Sequence, residues 1–100
     1  MIKHIVMWKL KEHAEGNDKQ ANAKLVKEKL EAMNDLVPGM IKLEVGIDLG
    51  ADAKANDVVL YSEFENEDAL AAYQAHPEHK AVFPFISAVR ETRNAVDYII

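Results

Sequence analysis

The chain reads as an α+β fold, an antiparallel sheet with helices on one face, and three observations predict it. Strand-like alternation opens the chain, recurs twice after Pro38-Gly39 and returns at the C-terminal end. Two intervals between those strands carry apolar residues at helical spacing. The 100 residues form one domain over 1–100, since no linker divides them and a chain this short supports a single core.

Ile2–Leu10 is the first strand, with Ile2, Val6, Trp8 and Leu10 on one face and Ile5 and Met7 on the other. Residues 13–18 are polar and include Gly16, and Asn17 or Asp18 is placed to cap the helix that follows. In that helix Ala23, Val26, Leu30, Met33 and Val37 keep helical spacing, so it is expected to run to Asn34 or Leu36 before Pro38-Gly39 stops it. Residues 40–49 alternate and place Ile41, Leu43, Val45, Ile47 and Leu49 together. A loop over 50–57 then leads to a third strand, Val58–Phe64, paired with the second as a hairpin.

Asn66 followed by Glu67 and Asp68 starts a second helix, with acids set against the positive end of the helix dipole. Pro77 disfavours helical geometry at His76 but suits a first turn, so a new helix begins there, kinked or restarted at Pro84 and continuing through Ile86, Val89 and Arg90. A last strand covers 92–99. The order is β-α-β-β-α-β with a split second helix, the ferredoxin-like arrangement. It leaves one sheet face uncovered, yet the first strand is apolar on both faces and the last carries Val96, Tyr98 and Ile100 opposite Ala95 and Ile99. A second copy covering that face resolves the mismatch, so a homodimer is expected.

Composition removes several functions. The formal net charge is −5 and the 12 Lys and Arg residues are scattered among acids, which disfavours a nucleic-acid partner. No apolar run approaches the ~20 residues of a membrane span, and no signal-peptide core opens the chain, so a cytoplasmic location without membrane contact is expected. The absence of cysteine excludes disulfides, thiolate nucleophiles and Cys-based metal sites. His, Tyr, Asp and Glu remain, and the residues that draw notice are Tyr73, His76 and His79.

The opening His4-Ile5-Val6-Met7-Trp8-Lys9-Leu10, the Pro38-Gly39-Met40 turn, the Tyr73-Gln74-Ala75-His76-Pro77-Glu78-His79 segment and the closing Asp97-Tyr98 together resemble the stress-responsive A/B barrel (Dabb) family. The resemblance spans essentially the whole chain and implies a dimeric α/β barrel. The family mixes stress-associated proteins with no assigned reaction, a plant polyketide cyclase and bacterial members of undefined role. The cyclase branch implies an aldol-type ring closure without metal or cofactor, in which His79 matches the base, Tyr73 the assisting tyrosine and His4 a further pocket histidine.

The chemistry of those residues is compatible with that role. In the first turn of a helix starting at Pro77, His79 meets the positive dipole end, which favours a neutral imidazole able to accept a proton. A proton next to a carbonyl needs such a base and a donor for the enolate oxygen, which the Tyr73 hydroxyl could supply. The structural alternatives are a histidine that caps backbone groups and a tyrosine that fills the core. His76, at the turn itself, fits the structural role better. His4 sits on the first strand with Val6 and Trp8, where a pocket floor would lie, although a strand histidine is commonly just a satisfied polar group. A zinc site at His76, Glu78 and His79 is disfavoured because the residues straddle the helix break, so neither a metal nor a cofactor is expected.

Three functions follow as alternatives. One is a small-molecule protein with an apolar pocket and acid/base groups at Tyr73 and His79. The others are a non-catalytic stress-associated dimer with a filled core, and a cofactor-independent or haem-degrading monooxygenase.

Overall fold

A computed structural model describes residues 1–50 and 55–100. The elements are β1 (Ile2–Leu10), β2 (His13–Ala14), β3 (Asn17–Asp18), α1 (Lys19–Glu31), β4 (Met40–Ile47), β5 (Val58–Phe64), α2 (Glu67–Ala75), α3 (Pro77–Val89) and β6 (Arg90–Ile99). Four strands form one antiparallel sheet in the order β4-β5-β1-β6, the ferredoxin-like order, with the helices on one face. The expected loop over 50–57 falls partly outside the described residues.

Period-two alternation decides which side of the sheet is buried. Ile2, His4, Val6, Trp8 and Leu10 of β1 face the helices, as do Val58, Leu60, Ser62 and Phe64 of β5. Against them pack Val26 and Leu30 of α1, Leu70 and Tyr73 of α2, and Ile86 and Val89 of α3, all buried. Each fully enclosed Val or Leu contributes roughly 1.5–3 kcal/mol. The edge strand β6 stays exposed apart from its half-buried first residue.

Four local expectations are revised. Residues 13–18, expected as a polar connection, form a tight hairpin, β2 with β3, turning through Glu15 and Gly16 at φ 52° and 77°. Buried Asn22 fastens it to α1 by donating to the Ala14 carbonyl at 3.0 Å and accepting from Asn17 Nδ2 at 3.3 Å. Asp18 is the cap of α1, accepting from the Ala21 amide at 2.8 Å.

The first helix ends at Glu31, short of the expected Asn34 or Leu36. Beyond it Met33, Asn34 and Leu36 bond three residues back, to Leu30, Glu31 and Met33, and Asp35 turns left-handed at φ 61°. This tightened turn still buries Met33 and Val37, so the hydrophobic spacing outlasts the helix. Gly39 follows at φ 89°, and a β-carbon there would lie 2.7 Å from Ala69 Cβ, a close approach that only glycine permits.

In β4 the alternation does not survive intact. The register with β5 shifts between Met40 and Lys42, so Ile41 is the extra residue of a bulge and is 50% exposed, while Met40, Leu43 and Val45 are buried. Ile47 and Leu49, expected in the same buried row, are exposed. Finally, α3 runs as one helix through Pro84 and stops at Val89, with Arg90 already the first residue of β6.

Candidate functional site

The junction of α2 and α3 is set by Pro77. His76 takes an extended backbone, φ −64° and ψ 137°, so it serves at once as C-cap of α2 and N-cap of α3. Its Nδ1 accepts from the Glu78 amide at 3.1 Å, which gives it the capping role that its place at the turn implied. The break leaves Tyr73 on the last turn of α2 and His79 on the first turn of α3, with ring centroids 4.6 Å apart in an edge-on contact.

Tyr73 and His79 each hold a buried polar atom, the Tyr73 hydroxyl and His79 Nδ1, without a hydrogen-bond partner among the described residues. Burial raises the Tyr73 phenol from 10.0 to about 12, so it stays protonated as a donor. Burial, followed by the neighbouring His4, lowers His79 below the usual 6.5, with hydrogen bonding to the Gln74 backbone opposing the shift and Arg93 adding to it. A neutral imidazole at neutral pH follows.

His79 lines a cavity of about 590 Å³ between helices and sheet. Its walls are mainly apolar, with Val6, Trp8 and Leu60 from the sheet facing Leu30, Val82 and Ile86 from the helices. His4 lies on the same wall and stacks edge-on with Tyr73 at 6.4 Å and Phe64 at 6.5 Å. Tyr73 itself does not line the cavity. It is fully enclosed one layer back, between the rings of His4, Phe64 and His79.

The fold therefore gathers His4, Tyr73 and His79, and leaves His76 outside as a cap. It also adds a residue that sequence reasoning assigned no role. The β1–β6 register pairs His4 with Asp97, and His4 Nδ1 hydrogen-bonds the Asp97 carboxylate. A carboxylate only accepts, so Nδ1 is the His4 nitrogen that donates in this contact. The signal was available in principle: if the first and last strands of the chain pair antiparallel with Ile2 opposite Ile99, His4 must meet Asp97. Gln74, Phe83, Ser87, Arg90 and Arg93 on the cavity wall also went unforeseen. Among the described residues no three His, Asp or Glu side chains converge as a metal site, and no helix is long and apolar enough to cross a membrane.

Comparison with solved structures places this fold in a known group. A dimeric protein of unknown function with a ferredoxin-like fold from Bacteroides fragilis is 33% identical, with a TM-score of 0.84 over 99% of this chain and 95% of its own. A dimeric ferredoxin-like protein of unknown function from Thermobifida fusca is 25% identical, with a TM-score of 0.83 over 99% and 90%. A Dabb family protein from Mesorhizobium loti with a ferredoxin-like fold, 21% identical with a TM-score of 0.74 over 99% and 95%, shares the fold. No match was found among curated proteins. The family model of the stress responsive A/B barrel domain (Dabb) matches residues 2–100, and with the ferredoxin-like sheet now established, the chain belongs to that family.

Proposed function

We propose that the protein binds a small apolar carbonyl compound in the cavity beneath His79 and acts on it by acid/base chemistry that needs no cofactor. The observation that carries this reading is the pair of buried, unpartnered polar atoms on Tyr73 and His79 beside a cavity of about 590 Å³. Leaving a buried polar atom unpaired costs about 1–3 kcal/mol, and such a debt is characteristic of a site shaped for a ligand. A non-catalytic protein whose useful property is its stable assembly would be expected to fill that space.

In the proposed reaction, neutral His79 takes a proton from the carbon next to the carbonyl, giving an imidazolium and an enolate. Tyr73, held protonated, donates its hydroxyl to the enolate oxygen. Because Tyr73 sits behind the His79 ring, this contact requires the ring to turn aside and give up its interaction with the Gln74 backbone. His4, oriented by its hydrogen bond to Asp97, completes the cavity wall beside His79.

The protein works as a homodimer in this reading. The sheet face away from the helices carries Ile5, Met7, Val59, Val96 and Tyr98, with Val96 50% exposed and Tyr98 41% exposed in the single chain. Covering this apolar surface with a second copy is consistent with the dimers described for the Bacteroides and Thermobifida proteins.

The test is proton–deuterium exchange at the carbon next to the carbonyl of 4-phenylbutan-2-one, followed by NMR with no added cofactor. Wild-type protein should accelerate exchange about 10²-fold or more over free imidazole at equal concentration, and His79→Gln should lose the acceleration. Equal rates for the two proteins would remove His79 as the base.

A further inference from the structure

We propose that the compound taken by this cavity carries a carboxylate, held by Arg90 and Arg93; this rests on the reading of the cavity as a small-molecule site. Both arginines line the cavity, although they are three positions apart on one strand. In a regular strand that spacing would point them to opposite faces. The register explains the exception. Trp8 pairs with Arg93 and Lys9 with Thr92, but Leu10 pairs with Arg90, so Glu91 is the extra residue of a bulge. Trp8 and Leu10 both face the helices, and their partners Arg93 and Arg90 therefore do too. A bulge that re-aims a side chain beside a cavity is a common use of this irregularity.

Neither guanidinium has a hydrogen-bond or ion-pair partner among the described residues. Among the described residues no Asp or Glu lines the cavity, so its wall is cationic in a protein whose formal charge is −5. Two unpaired forks beside an apolar chamber match a carboxylate on an apolar body, since guanidinium binds carboxylate through two parallel hydrogen bonds. Arg90 is half-buried and would hold the group at the wall. Arg93 is exposed and would draw it in from solvent.

Trp8 is the single tryptophan and forms part of the same wall, so its fluorescence reports occupancy directly. The probes are octanoate and 4-phenylbutanoate, each with its primary amide, titrated at low salt. Wild type should bind each acid at least about tenfold more tightly than its amide, and the preference should shrink as salt rises. The double variant Arg90→Gln/Arg93→Gln should bind acid and amide equally, with amide affinity unchanged. Arg93→Gln alone, at an exposed position where folding is not at stake, should lose part of the preference. Equal binding of acid and amide by wild type, or a preference that survives in the double variant, would overturn the arginine assignment and leave the cavity reading intact. Absence of any fluorescence change with all four probes would overturn both.

Discussion

Replacing Tyr73 by phenylalanine should make the protein more stable. The hydroxyl is fully enclosed, with no hydrogen-bond partner among the described residues, so folding strips its water and returns nothing. That desolvation costs about 1–3 kcal/mol, whereas the ring keeps its packing against Phe64 at 5.3 Å and His79 at 4.6 Å in the variant. Tyr73→Phe should gain about 1–2 kcal/mol at pH 7, which for a domain of this size is roughly 4–8 °C in Tm per kcal/mol. Urea unfolding at one fixed protein concentration measures it, with concentration held because assembly shifts the midpoint.

The alkaline limb provides an independent check of the same burial. The folded phenol titrates at about 12 and the unfolded one at 10.0, so the folded state holds the proton more tightly. Stability from this group is therefore complete below pH 10 and is lost as pH rises toward 12, by about 2–3 kcal/mol. That loss should be present in wild type and absent in Tyr73→Phe, with Tyr61 and Tyr98 common to both. Deuterium exchange should meanwhile fall about 10²-fold, since the enolate oxygen loses its donor. A lower urea midpoint for the variant at pH 7 would refute the reasoning, because it would mean that the hydroxyl is satisfied in the native protein.

His79 should remain an active base below pH 6.5, with exchange declining only at a lower pH; an apparent kinetic pKa above 6.5 would contradict its burial. The sign for stability follows, because the unfolded imidazole binds a proton more readily, so the contribution is intact above pH 6.5 and is lost as pH falls below it. Gly39→Ala should destabilise by about 2–3 kcal/mol in thermal unfolding, from its φ of 89° and a methyl group 2.7 Å from Ala69 Cβ, and an unchanged midpoint would show that the turn can relax. Light scattering should give twice the chain mass for wild type and a shift toward monomer for Val96→Lys with Tyr98→Lys; a monomeric wild type would leave the apolar sheet face unexplained.

Much of the fold was legible because its signals are local. Val58–Phe64 and Ile2–Leu10 carry their alternation in consecutive residues, Asp18 and Asn66 mark helix starts through their own side chains, and Pro77 determines the backbone of His76. The end of α1 was misplaced because Met33 and Val37 remain buried after the helix has given way to tighter turns, and apolar spacing registers burial, not backbone bonding. The exposure of Ile41 was hidden for a related reason. A bulge inserts one residue into the count, and nothing in the side chains of 40–49 announces it.

The candidate site divides along the same line. Tyr73 and His79 lie six positions apart around a proline break, and their contact follows from the local chain path that the sequence itself dictates. The sequence likewise determined the α+β class, the lack of any thiol chemistry and the charge that disfavours nucleic acid. Only the tertiary structure brought Asp97 to His4 across 93 residues, enclosed the Tyr73 hydroxyl without a partner, and turned Arg90 and Arg93 to the same wall through the bulge at Glu91. Those features depend on strand register and on the space left between helix and sheet, and both are settled by the packing of distant segments against one another.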